Sequence, residues 1–168
     1  MKENARRIVL PILLLGLFFM NVAGSFAADQ AALVKGMELL KAETAKLGPA
    51  RIEGSVLYFG GTKMNDNFAI VDKVKAQFDI TATLFVKKDN GFMRVSTNVI
   101  KNDGNRAVGT VLDPEGPAII AIRKGERYAG KAAILEKLYE TIYEPVRNEA
   151  GEIIGVYYVG YIVLLMHL

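Results

Sequence analysis

The sequence predicts an α+β fold, an antiparallel sheet with helices on one side. Two observations predict this fold. In the first half of the chain, apolar residues recur at three- and four-residue spacing, which is typical of amphipathic helices. In the second half, runs rich in β-branched and aromatic residues alternate with short turn sequences, which favours neighbouring antiparallel strands. No internal repeat or linker divides the 168 residues, so one domain is expected.

The start of the chain is typical of a secretory signal peptide. Positive residues come first, an apolar run over residues 8–20 follows, and a small-x-small cleavage pattern ends at Ala27. We therefore predict a signal peptide over residues 1–27 and a single periplasmic or secreted domain over residues 28–168. The alternative is an uncleaved membrane anchor, although the apolar run is shorter than the roughly 20 residues of a usual span.

The composition excludes several classes of function. There is no cysteine, which rules out a disulfide framework, a thiol-attached haem, a cysteine zinc site and a thiol nucleophile. The formal net charge is +3, and Lys2, Arg6 and Arg7 supply most of the excess. The rest of the chain has no basic cluster of the kind that follows a phosphate backbone, so no nucleic-acid partner is expected.

Three segments are predicted to be helical. The first begins at Asp29, which is a plausible N-cap, and ends at Gly48. The second is capped by Asp66 and has an apolar face for the core. The third covers residues 117–124, with a proline in its first turn and Gly125 at its end.

The strands are predicted from runs of β-branched and aromatic residues. In chain order they cover residues 51–59, 81–87, 92–98, 127–135, 138–147 and 153–163. Between them lie a hairpin turn at 89–91 (Asp-Asn-Gly), loops at 102–105 and 113–114, and a link at 148–151. These short links predict that strands next to each other in sequence also pair in the sheet.

An ordered set of short fragments resembles a known family. They are LYFG (57–60), NDNF (65–68), VDKV (71–74), TATLF (81–85), RVSTN (94–98), DGNRAVGT (103–110), GERYAG (125–130), YEPV (143–146) and GVYYVG (155–160). In this order and spacing they resemble the Cache superfamily, specifically the single-Cache domains described as a fusion of its third and second subtypes. The resemblance covers about residues 50–162.

The resemblance implies a PAS-like antiparallel sheet of five or six strands, with an N-terminal helix and short flanking helices. Such domains form the outer part of chemoreceptors and sensor kinases, and they bind small organic acids or amino acids. Residues 28–168 would then be one Cache-like ligand-binding domain. Because no membrane helix follows before Leu168, we expect a free-standing module, whose partner is a membrane receptor or a second copy of the chain.

Arg94 is the main candidate for ligand binding. Strand alternation predicts that Arg94 and Ser96 share one face of the sheet. A guanidinium there can hold a carboxylate through two parallel hydrogen bonds, and Ser96 and Thr97 could add hydroxyl donors. The resemblance implies this role for Arg94 and Ser96, because relatives with an Arg-x-Ser segment on this strand bind carboxylates. The alternative is an arginine at a sheet edge that pairs with a surface acid.

Five further residues are weaker candidates for the ligand site: Arg106, Tyr128, Lys131, Tyr139 and Tyr143. Arg106 could contact a ligand or tie loop carbonyls together. The tyrosines could supply apolar area and orienting hydroxyls, or simply pack in the sheet. Lys131 could attract an anion to the pocket mouth. It ends a glycine-rich segment that lacks the Ser or Thr and the helix of a phosphate-binding loop.

The sequence has no catalytic or metal-binding motif and implies no cofactor. Its lone histidine, His167, stands next to the end of the chain, and we predict that the protein is not an enzyme. The function expected is the binding or sensing of a small organic carboxylate. The alternative is a ligand-free structural, assembly or receptor-partner module that kept the fold and works through its first helix and the apolar tail 161–166.

Overall fold

The computed structural model describes the backbone of residues 13–163 and the side chains of residues 28–163. The helices of this part of the chain are α1 (Leu13–Ala45), α2 (Ala69–Phe78) and α3 (Pro117–Arg123). Its strands are β1 (Ala50–Glu53), β2 (Val56–Phe59), β3 (Thr62–Lys63), β4 (Thr81–Lys88), β5 (Gly91–Thr97), β6 (Tyr128–Ile134), β7 (Lys137–Arg147) and β8 (Ile153–Ile162). His167 lies outside the described residues.

The chain divides into two compact units, residues 1–31 and residues 32–168. In the first unit, the described structure is the part of α1 that starts at Leu13. Within residues 13–163, no helix has both the length and the apolar character that crossing a membrane requires. The second unit contains the end of α1, the helices α2 and α3, and strands β1 to β8.

The second unit is built on a five-stranded antiparallel sheet with the order β5-β4-β8-β7-β6. A smaller antiparallel sheet, β1-β2-β3, accompanies it. The α+β class, the antiparallel pairing and the count of five strands in the main sheet are therefore confirmed. The hairpin predicted at residues 89–91 joins β4 to β5, with Lys88 paired to Gly91.

The main sheet is covered on both faces. One face, which we call the helix face, packs Leu84 and Val159 against Leu40 of α1 and Val71 of α2. The opposite face, the cavity face, has a core that includes Phe85, Val156, Tyr158 and, from α3, Ile119 and Ile122. The prediction that all helices lie on one side is therefore wrong for α3. Its Pro117 start and its Gly125 end were visible in the sequence, but the face that it covers depends on long-range packing.

Two predicted helix starts are also wrong. Asp29 lies inside α1, because the segment before it is apolar and continues the helix without a break. Asp66 does not cap α2, whose N-cap is Phe68 and has no side-chain hydrogen bond. Asp66 instead adopts a left-handed backbone conformation (φ 60°), and its N–H donates to Val95 O at 2.8 Å. It turns the chain before the helix begins.

The predicted strand 51–59 is a hairpin of two strands rather than one strand. β1 pairs with β2 from Ala50 with Phe59 to Glu53 with Val56. Gly54 sits in the connecting turn at φ 59°, where a side chain would be strained. The apolar run alone did not reveal this break.

A β-bulge in β5 determines which side chains share a face. Phe85 pairs with Arg94 and Leu84 pairs with Ser96, so Val95 is an extra residue in β5. Because residues directly opposite each other in a sheet share a face, Arg94 lies with Phe85 on the cavity face and Ser96 lies with Leu84 on the helix face. The prediction that Arg94 and Ser96 share a face is therefore wrong.

The turn between β6 and β7 is strained, which leads to a stability prediction. Both of its central residues have positive φ, 48° at Leu135 and 66° at Glu136, as two-residue hairpins of type I′ require. Residues other than glycine, asparagine and aspartate rarely adopt this backbone conformation. We expect Glu136→Gly to raise the free energy of unfolding by about 1 kcal/mol, measured by chemical denaturation.

The matched control is Glu149→Gly, in the turn between β7 and β8, because Glu149 is not among the residues with positive φ. That substitution should give no gain. If both variants had the same stability, strain at Glu136 would not be the cause.

Candidate ligand-binding site

A cavity of about 140 Å³ opens on the cavity face of the sheet. Its wall combines Arg94 of β5, residues 110–113 and 116 of one loop, the start of α3, residues 132–134 of β6 and Tyr143 of β7. These parts are far apart in sequence and are brought together by the pairing of β6 with β7 and by the packing of α3 on this face. Most of the lining is apolar, with Arg94 as its positive charge.

Arg94 is 4% exposed, so its guanidinium is removed from solvent. Nη1 donates to Thr110 Oγ1 at 2.8 Å, with a longer contact of 3.4 Å to Val111 O. The guanidinium carbon lies 4.8 Å from the centre of the Phe85 ring. Burial lowers the pKa of Arg94 from its ordinary value, and the nearby tyrosines Tyr143, Tyr158 and Tyr139 act in the opposite direction.

The guanidinium of Arg94 is incompletely paired. Its Nε is buried and has no hydrogen-bond partner, and no carboxylate forms an ion pair with it among the described residues. A buried charge without a counter-ion destabilises the folded state. An anion in the cavity would therefore supply the negative charge that no described side chain provides to Arg94.

A cluster of aromatic rings extends from Phe85, the ring that the guanidinium contacts. The ring centres of Tyr143 and Tyr158 are 4.9 Å apart, and Tyr128 and Phe85 lie 6.2 Å and 6.5 Å from Tyr143. Burial raises the pKa of Tyr143 well above its ordinary value, so this hydroxyl stays protonated at neutral pH and can donate. Tyr139 is 4% exposed and belongs to the same core.

The sequence profile of the Cache 3/Cache 2 fusion domain matches residues 20–163. The chain belongs to this family. The resemblance found in the sequence is thus confirmed. Cache domains are extracytoplasmic sensor domains that bind small ligands and are typically not enzymes, which places this domain outside the cytoplasm.

Comparison with curated protein sequences gives no match. Among solved structures, the Cache domain is similar to a candidate transcriptional regulator from Rhodococcus sp. RHA1. The identity is 11%, the TM-score is 0.44, and the alignment covers 76% of this chain and 74% of the other.

Ser96 and Thr97 of the Cache domain make hydrogen bonds away from the cavity. Ser96 Oγ donates to Asn67 O at 2.6 Å on the helix face, ahead of α2. Thr97 shares the cavity face, but its hydroxyl lies 2.6 Å from Thr83 Oγ1 and it is fully buried. Neither residue lines the cavity. Their hydroxyls hold the sheet and the start of α2 in place.

Arg106 also lies apart from the cavity. Its Nη1 and Nη2 donate to the two carboxylate oxygens of Asp72, at 2.7 Å and 2.9 Å, and Nη1 also reaches Thr97 O at 2.9 Å. Its guanidinium stacks on the Phe68 ring at 4.3 Å. This geometry fits the structural alternative, in which Arg106 ties its loop to neighbouring elements.

Lys131 and Tyr128 lie on β6, beside the cavity rather than in its lining. Lys131 Nζ is 4.0 Å from a carboxylate oxygen of Glu140 and its side chain is 60% exposed. The Tyr128 hydroxyl donates to Lys131 O at 2.7 Å. The Tyr128 ring packs against the ring of Tyr143. Of the eight residues predicted for the site, Arg94 and Tyr143 line the cavity.

Two polar residues of the cavity lining, Thr110 and Asp113, are among those that were not predicted from the sequence. Thr110 reaches Arg94 because its loop returns along β5, where Arg94 N–H donates to Thr110 O and Gly109 N–H donates to Arg94 O. The Asp-Pro pair at 113–114 signalled a loop, but no local pattern linked that loop to β5. Within the described residues, no group of three or more His, Cys, Asp or Glu side chains could hold a metal ion.

The uncompensated charge of Arg94 leads to a prediction about the protein without ligand. Arg94→Met replaces the guanidinium with an apolar chain of similar length, and replacing a buried charged group in this way is often stabilising. We expect the free energy of unfolding to rise by about 1 kcal/mol or more, measured by chemical denaturation without added anions.

The control is Arg106→Met, which removes a guanidinium that is paired with Asp72. It should lower the stability, because it leaves the Asp72 carboxylate without its partner. A loss of stability in both variants would mean that Arg94 is satisfied without a ligand.

Proposed function

We propose that this Cache domain binds a small organic carboxylate in the cavity, with Arg94 as its anchor. The observation that carries the proposal is a buried guanidinium that lines the cavity and has no carboxylate partner among the described residues. A carboxylate offers two oxygens in the plane that a guanidinium fork requires. It also supplies the negative charge that is missing around Arg94 in the described residues.

The size of the cavity limits the ligand. Its volume of about 140 Å³ is close to that of an engineered cavity that holds one benzene molecule, about 150 Å³. A ligand of about six non-hydrogen atoms therefore fits. Ala118, Ala132 and Ile134 would contact its apolar part, and the Tyr143 hydroxyl could donate to a carboxylate oxygen.

A sensing role requires that occupancy of the cavity be read elsewhere, and β8 offers a connection. Tyr158 packs against Tyr143 on the cavity face, whereas its neighbour Tyr157 lies on the helix face. The Tyr157 hydroxyl is 3.2 Å from Thr44 Oγ1 of α1. A ligand that moves the Tyr143–Tyr158 pair would therefore also act on α1, where a receptor or a second copy of the chain could detect the change.

The proposal is tested by thermal shift and calorimetry with acetate, propionate, butyrate and pyruvate. At a ligand concentration of 100 times its Kd, the domain should gain about 2.7 kcal/mol of stability. Arg94→Gln should abolish this gain, and Arg94→Lys should weaken it because an ammonium cannot bind both oxygens in the fork geometry.

The matched control is Arg123→Gln, at the end of α3, where the guanidinium donates to Asn90 O outside the cavity. It should bind as the unaltered protein does. Binding that survives in Arg94→Gln would move the site elsewhere. If no carboxylate binds, the alternative of a ligand-free assembly or receptor-partner module is favoured.

We also propose that residues 1–27 are a cleaved signal peptide and that the domain is periplasmic or secreted. The positive start, the apolar run and the small-x-small pattern before Ala28 support this. The exported protein should have the mass of residues 28–168. Ala27→Arg should block cleavage, whereas Ala31→Arg should not. An exported protein that keeps its full mass would favour the uncleaved anchor.

A further inference from the structure

The cavity has a second charged lining residue, Asp113, which no sequence pattern connected to ligand binding. Arg94 and Asp113 are the charged side chains among the described residues that line the cavity. Arg94 is buried, whereas Asp113 is exposed, so Asp113 lies at the mouth and Arg94 lies inside. A role for Asp113 in the choice of ligand rests on the proposed function, in which a carboxylate binds to Arg94.

The carboxylate of Asp113 is held in position by its own loop. Its Oδ1 accepts a hydrogen bond from the Glu115 N–H at 3.0 Å. Its Oδ2 lies over Gly116, where an added Cβ would come within 2.9 Å of this oxygen. Within the described residues, no Lys or Arg forms an ion pair with Asp113. The negative charge at the mouth is therefore oriented by its own loop and has no counter-ion among the described residues.

The charge of Asp113 is also felt inside the cavity. Burial is the main cause of the raised pKa of Tyr143, and Arg94 opposes it. Tyr128 and Asp113 add to the rise. Asp113 thus acts electrostatically on a side chain that lines the cavity beside Arg94.

We propose that the cavity selects carboxylates with a single negative charge and that Asp113 is the residue that excludes dicarboxylates. A monocarboxylate compensates Arg94 and fills the rest of the small cavity with apolar atoms. A second carboxylate would have to point towards the mouth, where it meets the charge of Asp113 without a cation to compensate it. Selectivity of this kind comes from an unfavourable contact with the rejected ligand.

An amino acid fits this arrangement less well than a simple carboxylate. Its α-ammonium group would lie next to its carboxylate, close to the buried guanidinium of Arg94, where two positive charges repel each other with little screening. Asp113 does not require an ammonium partner, because its exposed carboxylate is hydrated.

The test compares malonate with malonamate, which has the same number of non-hydrogen atoms but one negative charge. Binding of each to the full chain is measured by calorimetry at low and at physiological ionic strength, with propionate as the reference ligand. We expect malonamate to bind about tenfold more tightly than malonate at low ionic strength, and the ratio to shrink as salt screens the exposed Asp113.

Asp113→Asn should bring malonate binding up to that of malonamate and should change propionate binding less than malonate binding, because the single carboxylate of propionate lies at Arg94, away from the mouth. Asparagine keeps the oxygen that accepts from the Glu115 N–H, so the loop should hold its shape. The control is Glu115→Gln, which removes a neighbouring exposed charge that does not line the cavity, and it should retain the preference for malonamate.

Three results would overturn the selectivity and leave carboxylate binding intact. The first is equal binding of malonate and malonamate to the unaltered protein. The second is a preference for malonamate over malonate that persists in Asp113→Asn. The third is tighter binding of alanine than of propionate. If propionate, malonamate and malonate all fail to bind, the proposed function itself is overturned, and the selectivity with it.

Discussion

The extra residue in β5 is the feature on which the candidate site depends. Without the bulge at Val95, Ser96 would follow Arg94 onto the cavity face and Thr97 would turn towards the helices. With it, Val95 and Ser96 both face α2 and the helix-side core, and Arg94 lies on the other face without Ser96 beside it. One inserted residue thus places Ser96, which has a structural role, and Arg94, which has no carboxylate partner among the described residues, on opposite faces of the sheet.

As a consequence, the buried charge of Arg94 lowers the stability of the folded protein, and the proposed ligand would compensate this charge. Arg94 is buried against Phe85 and bonded to Thr110, yet part of its guanidinium is unsatisfied. Arg106 shows how the same fold satisfies an arginine that has a structural role, through two bonds to Asp72 and a stack on Phe68. The contrast between the two arginines supports the proposal that Arg94 binds a ligand.

The two faces of the sheet are linked through β8. Neighbouring residues of a strand point to opposite faces, so Tyr158 belongs to the aromatic cluster around the cavity while Tyr157 reaches Thr44 of α1. Cache domains are sensors, and a sheet with a cavity on one face and the end of α1 on the other provides the elements that sensing requires. In the proposed function, the charge of Asp113 at the mouth would add a means of selecting the ligand.

The sequence by itself determined the α+β class, the family, the hairpin at residues 89–91, strands β4 to β8 to within a few residues, and Arg94 as the main candidate for the site. Strand alternation and turn chemistry are local, so a single sequence displays them. Only the tertiary structure decided the bulge at Val95, the return of the loop that brings Thr110 and Asp113 to the cavity, and the pairing of Arg106 with Asp72. These depend on strand register and long-range packing, which local patterns do not encode.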